Sequence, residues 1–145
     1  HGPAAGWRRT TMTTVLFVCV HNAGRSQMAE AYVNALARAH NLPWRALSAG
    51  TVGGSTLNPT VVEAMAEVGI PLTGHHPKVL DQAMVDAADR IITMGWGVDA
   101  DQCPARIHLS EDWGLEDPKG RPLEAVRGIR DSIRARVAAL LDIPA

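Results

Sequence analysis

The chain has 145 residues, 46% of them hydrophobic and 20% charged, which is the size and composition of one globular domain with a real core. Its formal net charge of −1 gives no electrostatic case for a nucleic acid or an anionic membrane as partner, and no apolar run approaches membrane-spanning length. Two cysteines, Cys19 and Cys103, are too few for a disulfide scaffold or a cysteine zinc site, so a reducing cytoplasm is the expected compartment.

Residues 1–11, "HGPAAGWRRTT", lack periodicity and precede Met12. They read as a tag remnant or disordered leader ahead of a single domain over 12–145. "TVLFVCV" is a near-continuous apolar run, the pattern of a strand buried on both faces of a parallel sheet. Ser26–His40 carries apolar residues at helical spacing, and "WRALSAGT" is a second strand ending near a glycine. "NPTVVEAMAEVGI" is a punctuated helix, with Asn58 as N-cap, Pro59 at the first helical position and Gly69 past the end. "KVLDQAMVDAA" predicts a further helix, "DRIITMG" a third strand and "ARIHLS" a fourth. A last helix runs from Leu123 to Leu141, with Ile129, Ile133, Val137 and Leu140 along one face. Strands alternating with helices predict an α/β three-layer sandwich, a four-stranded parallel sheet with helices on both faces. Ligands of such sheets bind at the carboxyl ends of the strands, where Cys19 lies.

The segment "CVHNAGRS" places a thiol and a guanidinium at opposite ends of a tight loop that opens a helix. The backbone N–H groups of Val20, His21, Asn22, Ala23, Gly24 and Arg25 can converge into an anion-binding concavity, and the helix N-terminus adds partial positive charge. Gly24 allows a positive φ next to Arg25, Asn22 tolerates left-handed geometry, and Arg25 supplies a planar fork for a tetrahedral oxyanion. The same field favours a thiolate at Cys19, and Ser26 can donate its hydroxyl hydrogen to the sulfur. The loop thus binds an oxyanion and aims a nucleophile at its central atom. The side chain of His21 is expected to point outward.

Cysteine, five residues, arginine and serine after the first strand resembles the low-molecular-weight protein tyrosine phosphatases and the arsenate reductases that share their fold, over about residues 13–142. Gly24 stands where the phosphatases carry a second cysteine, and Ser26-Gln27 replaces their Ser-Pro, so the loop is more similar to that of the reductases. The resemblance implies Asp117, in "EDWGLEDPKG", as general acid, held by Pro118. Glu111, Asp112 and Glu116 are expected to be solvated. Lys119-Gly120 follows where phosphatases carry aromatic walls, and the chain has one Tyr and one Phe, which favours a small inorganic substrate.

Reduction of arsenate needs a second thiol. Cys103 matches the later of two resolving cysteines in the family, but Trp96 stands at the earlier position. Two routes follow. Cys103 can resolve Cys19 directly, helped by Gly95 and Gly97, leaving a disulfide for a thioredoxin-like partner. Alternatively an external thiol (mycothiol, bacillithiol or glutathione) attacks, and a glutaredoxin-like protein regenerates the enzyme. No bound cofactor is expected, although some relatives hold a potassium ion near the equivalent of Asn22. Asn22 with Ser48 is expected to organise the loop. His75-His76 is assigned a surface role, and His40 and His108 structural ones. The leading expectation is an arsenate reductase, ahead of a phosphatase on phosphate monoesters and of a non-catalytic oxyanion-binding protein.

Overall fold

The computed structural model describes residues 11–52, 54, 56–95 and 111–145. Strands β1 (Thr13–Cys19), β2 (Trp44–Gly50), β3 (Arg90–Thr93) and β4 (Glu111–Asp112) form one parallel sheet in the order β2-β1-β3-β4. Helices α1 (Arg25–Ala39), α2 (Pro59–Glu67), α3 (Gln82–Ala87) and α4 (Leu123–Leu141) cover it. The apolar run of β1 reflects its central place. Val15, Phe17 and Cys19 face a core shared with α1, α2 and α4, while Leu16 and Val18 face a smaller one shared with α3. With both faces buried, the strand is wholly apolar from Val15 to Val18.

Asn58 caps α2 as expected, its Oδ1 accepting from the N–H groups of Thr60 (2.9 Å) and Val61 (3.3 Å), with Pro59 at the first helical position. The helix of "KVLDQAMVDAA" is shorter than its periodicity suggests. Asp81 caps α3 at Gln82, and Val79 forms a parallel bridge with Gly50 instead. Tertiary pairing there outweighs helix propensity: Gly50 donates to the carbonyl of Lys78, and Leu80 donates back to that of Gly50, both at 2.8 Å. The expected fourth strand over 105–110 lies outside the described residues, and β4 follows it directly.

Helices α2 and α4 are clamped by Glu67, which accepts from Arg127 Nη2 at 2.5 Å and Arg130 Nη1 at 2.9 Å. Hydrogen bonding to Arg127, followed by that to Arg130, lowers the Glu67 carboxyl from 4.5 to about 2. A carboxyl depressed in the folded state stabilises above its unfolded pKa and loses that contribution as pH falls from 4.5 toward 2. The urea midpoint is therefore expected to fall more steeply across that window in the wild type than in Glu67→Gln. Equal slopes would show that the clamp adds nothing.

Candidate active site

Register decides where the nucleophile ends up. Cys19, the last residue of β1, pairs with Gly50 of β2, and its neighbour Val18 pairs with Thr93 of β3, so the thiol sits at the carboxyl end of the central strand. The chain then folds back over β2, with Thr51 and Val52 donating to the carbonyls of Cys19 and Val20 at 2.9 Å. A Cβ at Gly50 would lie 2.5 Å from the Val20 carbonyl oxygen, so only glycine admits this return.

Within the loop, Asn22 adopts φ 55° and turns its N–H toward the buried Cys19 sulfur at 3.2 Å. Ser26 Oγ lies 2.8 Å from the same sulfur. A backbone N–H and a hydroxyl thus converge on the one sulfur. The positive φ that Gly24 allows is not used: its φ is −144°. Glycine is required there for space, since a Cβ would meet Pro118 Cγ at 2.8 Å.

Arg25, the first residue of α1, is 7% exposed. Its Nη1 donates to the carbonyls of Met94 (2.7 Å) and Leu115 (2.9 Å), which fixes the guanidinium plane between the ends of β3 and the segment after β4. Gly95 makes this approach feasible at φ +118°, where a Cβ would lie 2.7 Å from Nη1. Arg25 Nη2 lies 3.9 Å from Asp117 Oδ2. Asp117 is 57% exposed, with Oδ1 accepting from the Lys119 N–H at 3.0 Å, so its carboxyl stands at the rim facing the arginine. Cys19, Val20, His21, Ala23, Gly24, Arg25 and Asp117 all line one cavity of about 500 Å³. No Phe, Tyr or Trp lines it among the described residues.

Asp112 and Glu116 are exposed as expected and Glu111 is half-buried, and all three have partners. Glu111 accepts from Arg90 Nη2 (2.6 Å) and Trp113 Nε1 (2.8 Å), and Asp112 accepts from the Thr93 hydroxyl and from the Gly95 N–H (3.1 Å). Glu116 pairs with Arg121 at 2.9 Å. The contacts from Arg90, Thr93 and Gly95 join β3 to β4 and hold the Gly95 corner, across separations in sequence that no local pattern reveals. His21 is exposed, as is His40 at the C-cap of α1. Cys103, Trp96, Gly97 and His108 lie outside the described residues.

Sequence reasoning missed Gln27. It is fully buried behind the loop, and its Nε2 donates to Asn22 Oδ1 (2.8 Å), the Asn22 carbonyl (3.1 Å) and the His76 carbonyl (3.0 Å). Its place in α1, one residue after Ser26, was the only local signal. Ser48 does not reach Asn22 as expected, because its hydroxyl donates to Glu30 Oε1. A potassium ion beside Asn22 does not fit this donor set. Asn22 Oδ1 already accepts from Gln27 and from the Lys78 N–H (2.9 Å), and Lys78 Nζ lies 3.7 Å from the Glu30 carboxylate. Among the described residues, no three His, Cys, Asp or Glu side chains could together hold a metal ion, and no helix is long and apolar enough to cross a membrane.

A thiol, an arginine and a rim aspartate around a loop at the end of the central strand define a cysteine-dependent oxyanion site. The family model for low molecular weight phosphotyrosine protein phosphatase matches residues 14–143, and the chain belongs to that family. Within it, the chain is 35% identical over 130 residues to arsenate reductase 1 of Bacillus cereus, covering 86% of this chain and 90% of that one. A solved arsenate reductase in the phosphate binding state superimposes with a TM-score of 0.73 at 31% identity, covering 90% of this chain and 98% of the other. The low molecular weight protein tyrosine phosphatase of T. tengcongensis does so with a TM-score of 0.76 at 28% identity, with the same coverage.

Proposed function

We propose that the protein is an arsenate reductase. The observation that carries this reading is a thiol-bearing oxyanion cradle opening into a cavity without an aromatic wall among the described residues, which suits a small inorganic oxyanion better than an aryl ester. Similarity to arsenate reductase 1 of Bacillus cereus supports it.

The Cys19 thiolate attacks arsenic, forming an S–As bond, and one As–O bond breaks. Asp117 delivers the proton that lets this oxygen leave as water. Arg25 and the loop N–H groups hold the remaining oxygens, where charge accumulates during the attack. A second thiolate then attacks the Cys19 sulfur. The S–As electron pair stays on arsenic, which leaves as arsenite, and the two sulfurs become a disulfide, so two thiols supply the two electrons. The second thiol comes from an external small thiol or from Cys103. The cavity exceeds what one tetrahedral oxyanion fills, and Lys119 and Arg121 line it, which supports a small anionic thiol entering beside the adduct. A glutaredoxin-like protein then regenerates Cys19 in the cytoplasm.

The test is arsenite production by the purified protein with a thioredoxin system and, in parallel, with a small thiol plus glutaredoxin-like protein, using p-nitrophenyl phosphate hydrolysis as control. Arsenite with the small thiol only is the expected result. No arsenite with either, together with brisk ester hydrolysis, would make the protein a phosphatase.

A further inference from the structure

Asp117 has to meet the leaving oxygen, yet its carboxyl is exposed and residues 113–118 form neither helix nor strand. Two hydrogen bonds shape the segment from within. Asp117 Oδ1 accepts from the Lys119 N–H at 3.0 Å, and the Pro118 carbonyl accepts from the Arg121 N–H at 3.0 Å, closing a turn with Gly120 at φ +73°. Neither bond fixes where the turn sits against the nucleophile.

Asn58, at the start of α2, reaches both sides of that gap. Its N–H donates to the carbonyl of Ala23, inside the oxyanion loop, at 2.9 Å. Its Oδ1 caps α2, accepting from the N–H groups of Thr60 and Val61. Its Nδ2 donates to the carbonyl of Pro118, the residue after Asp117, at 3.5 Å. The cap decides the sense of the last bond. Two backbone N–H groups only donate, so they hold the oxygen end of the amide and leave the nitrogen end for Pro118. The bond is long, and it acts together with packing. Pro118 is buried, and its Cγ comes so near Gly24 that a Cβ there would lie 2.8 Å away, with Val61 Cγ2 at 3.6 Å from the same point.

We infer that Asn58 is a positioning residue for the general acid: its amide ties the Asp117–Pro118 turn to the oxyanion loop, so that carboxyl and thiol keep their spacing. The inference rests on Asp117 as the acid in the function proposed above, and it holds for arsenate and for a phosphate ester alike.

The test measures arsenite release and, in parallel, hydrolysis of phenyl phosphate, whose poor leaving group needs the proton. Asn58→Ser keeps a capping oxygen and loses the amide donor, so its melting temperature is expected to stay near that of the wild type. Its kcat is expected to fall about tenfold, part of the 10²–10⁴-fold that a general acid supplies. In an Asp117→Asn background the same substitution is expected to cost nothing more, because the group it positions is gone. Asn58→Asp also caps and also lacks the donor, and it is expected to match Asn58→Ser. Should the serine variant not fold, the aspartate variant carries the same comparison. Wild-type turnover in either variant overturns the inference. So does an equal fall in both backgrounds, which would place the effect on the oxyanion loop through Ala23. If the wild type hydrolyses the ester and makes no arsenite, the reductase reading fails and the ester rates decide the role of Asn58. A wild type inert toward both substrates overturns both.

Discussion

The Cys19→Ser variant is expected to lose arsenite production by at least about 10⁴-fold while still binding phosphate. The loss has two independent causes. A serine hydroxyl is hardly ionised at neutral pH and is a far weaker nucleophile than a cysteine sulfur. Even if an oxygen–arsenic ester formed, oxygen cannot accept the second thiolate and release arsenic with its electron pair. Oxyanion binding should survive, because the cradle depends on backbone N–H groups and on Arg25, whose carbonyl anchors at Met94 and Leu115 are untouched. Two measurements check this: arsenite release under the best reductant, and the rise in melting temperature with added phosphate. Turnover within tenfold of wild type would move the nucleophile elsewhere.

Gly95→Ala is expected to lower kcat/KM about 100-fold, from a position that never touches substrate, since a catalytic group misplaced by about 1 Å costs that much. Gly95 sits at φ +118°, a backbone region L side chains rarely adopt, which adds about 1–3 kcal/mol of strain. The new methyl would also lie 2.7 Å from Arg25 Nη1 and 2.8 Å from the Leu115 carbonyl oxygen, the acceptor that holds that nitrogen. Either the guanidinium moves or the segment after β4 does, and both carry oxyanion-site groups. Kinetics with denaturant unfolding separate the two effects: stability should fall by a few kcal/mol and oxyanion affinity should fall with it. Full activity in a destabilised variant would mean that Arg25 tolerates displacement.

The site was legible to differing depths. Cys19, Arg25, Ser26 and Asp117 were nameable because the loop is contiguous and the family motif adds Asp-Pro, and the structure brings all four to one place. Gln27 was not nameable, because an amide inside an Ala-rich helix gives no sign of facing inward. Gly24 was singled out for a positive φ it does not have, and its true constraint is Pro118, on a segment far along the chain. Glu111 and Asp112 read as solvated, and Asp112 is exposed, but their partners Arg90 and Thr93 on the neighbouring strand were not readable from the sequence.

By itself the sequence determined what depends on a few consecutive residues: the buried central strand from its unbroken apolar run, the start of α2 from Asn58-Pro59, the full span of α4 from its periodicity, and the nucleophile loop. Tertiary structure alone decided which distant groups meet that loop. Arg25 reaches a carbonyl 90 residues away, and Gln27 meets His75 across 48. The strand order β2-β1-β3-β4 and its register set those encounters. They follow from closing a core on each face of the sheet, which no stretch of sequence carries locally.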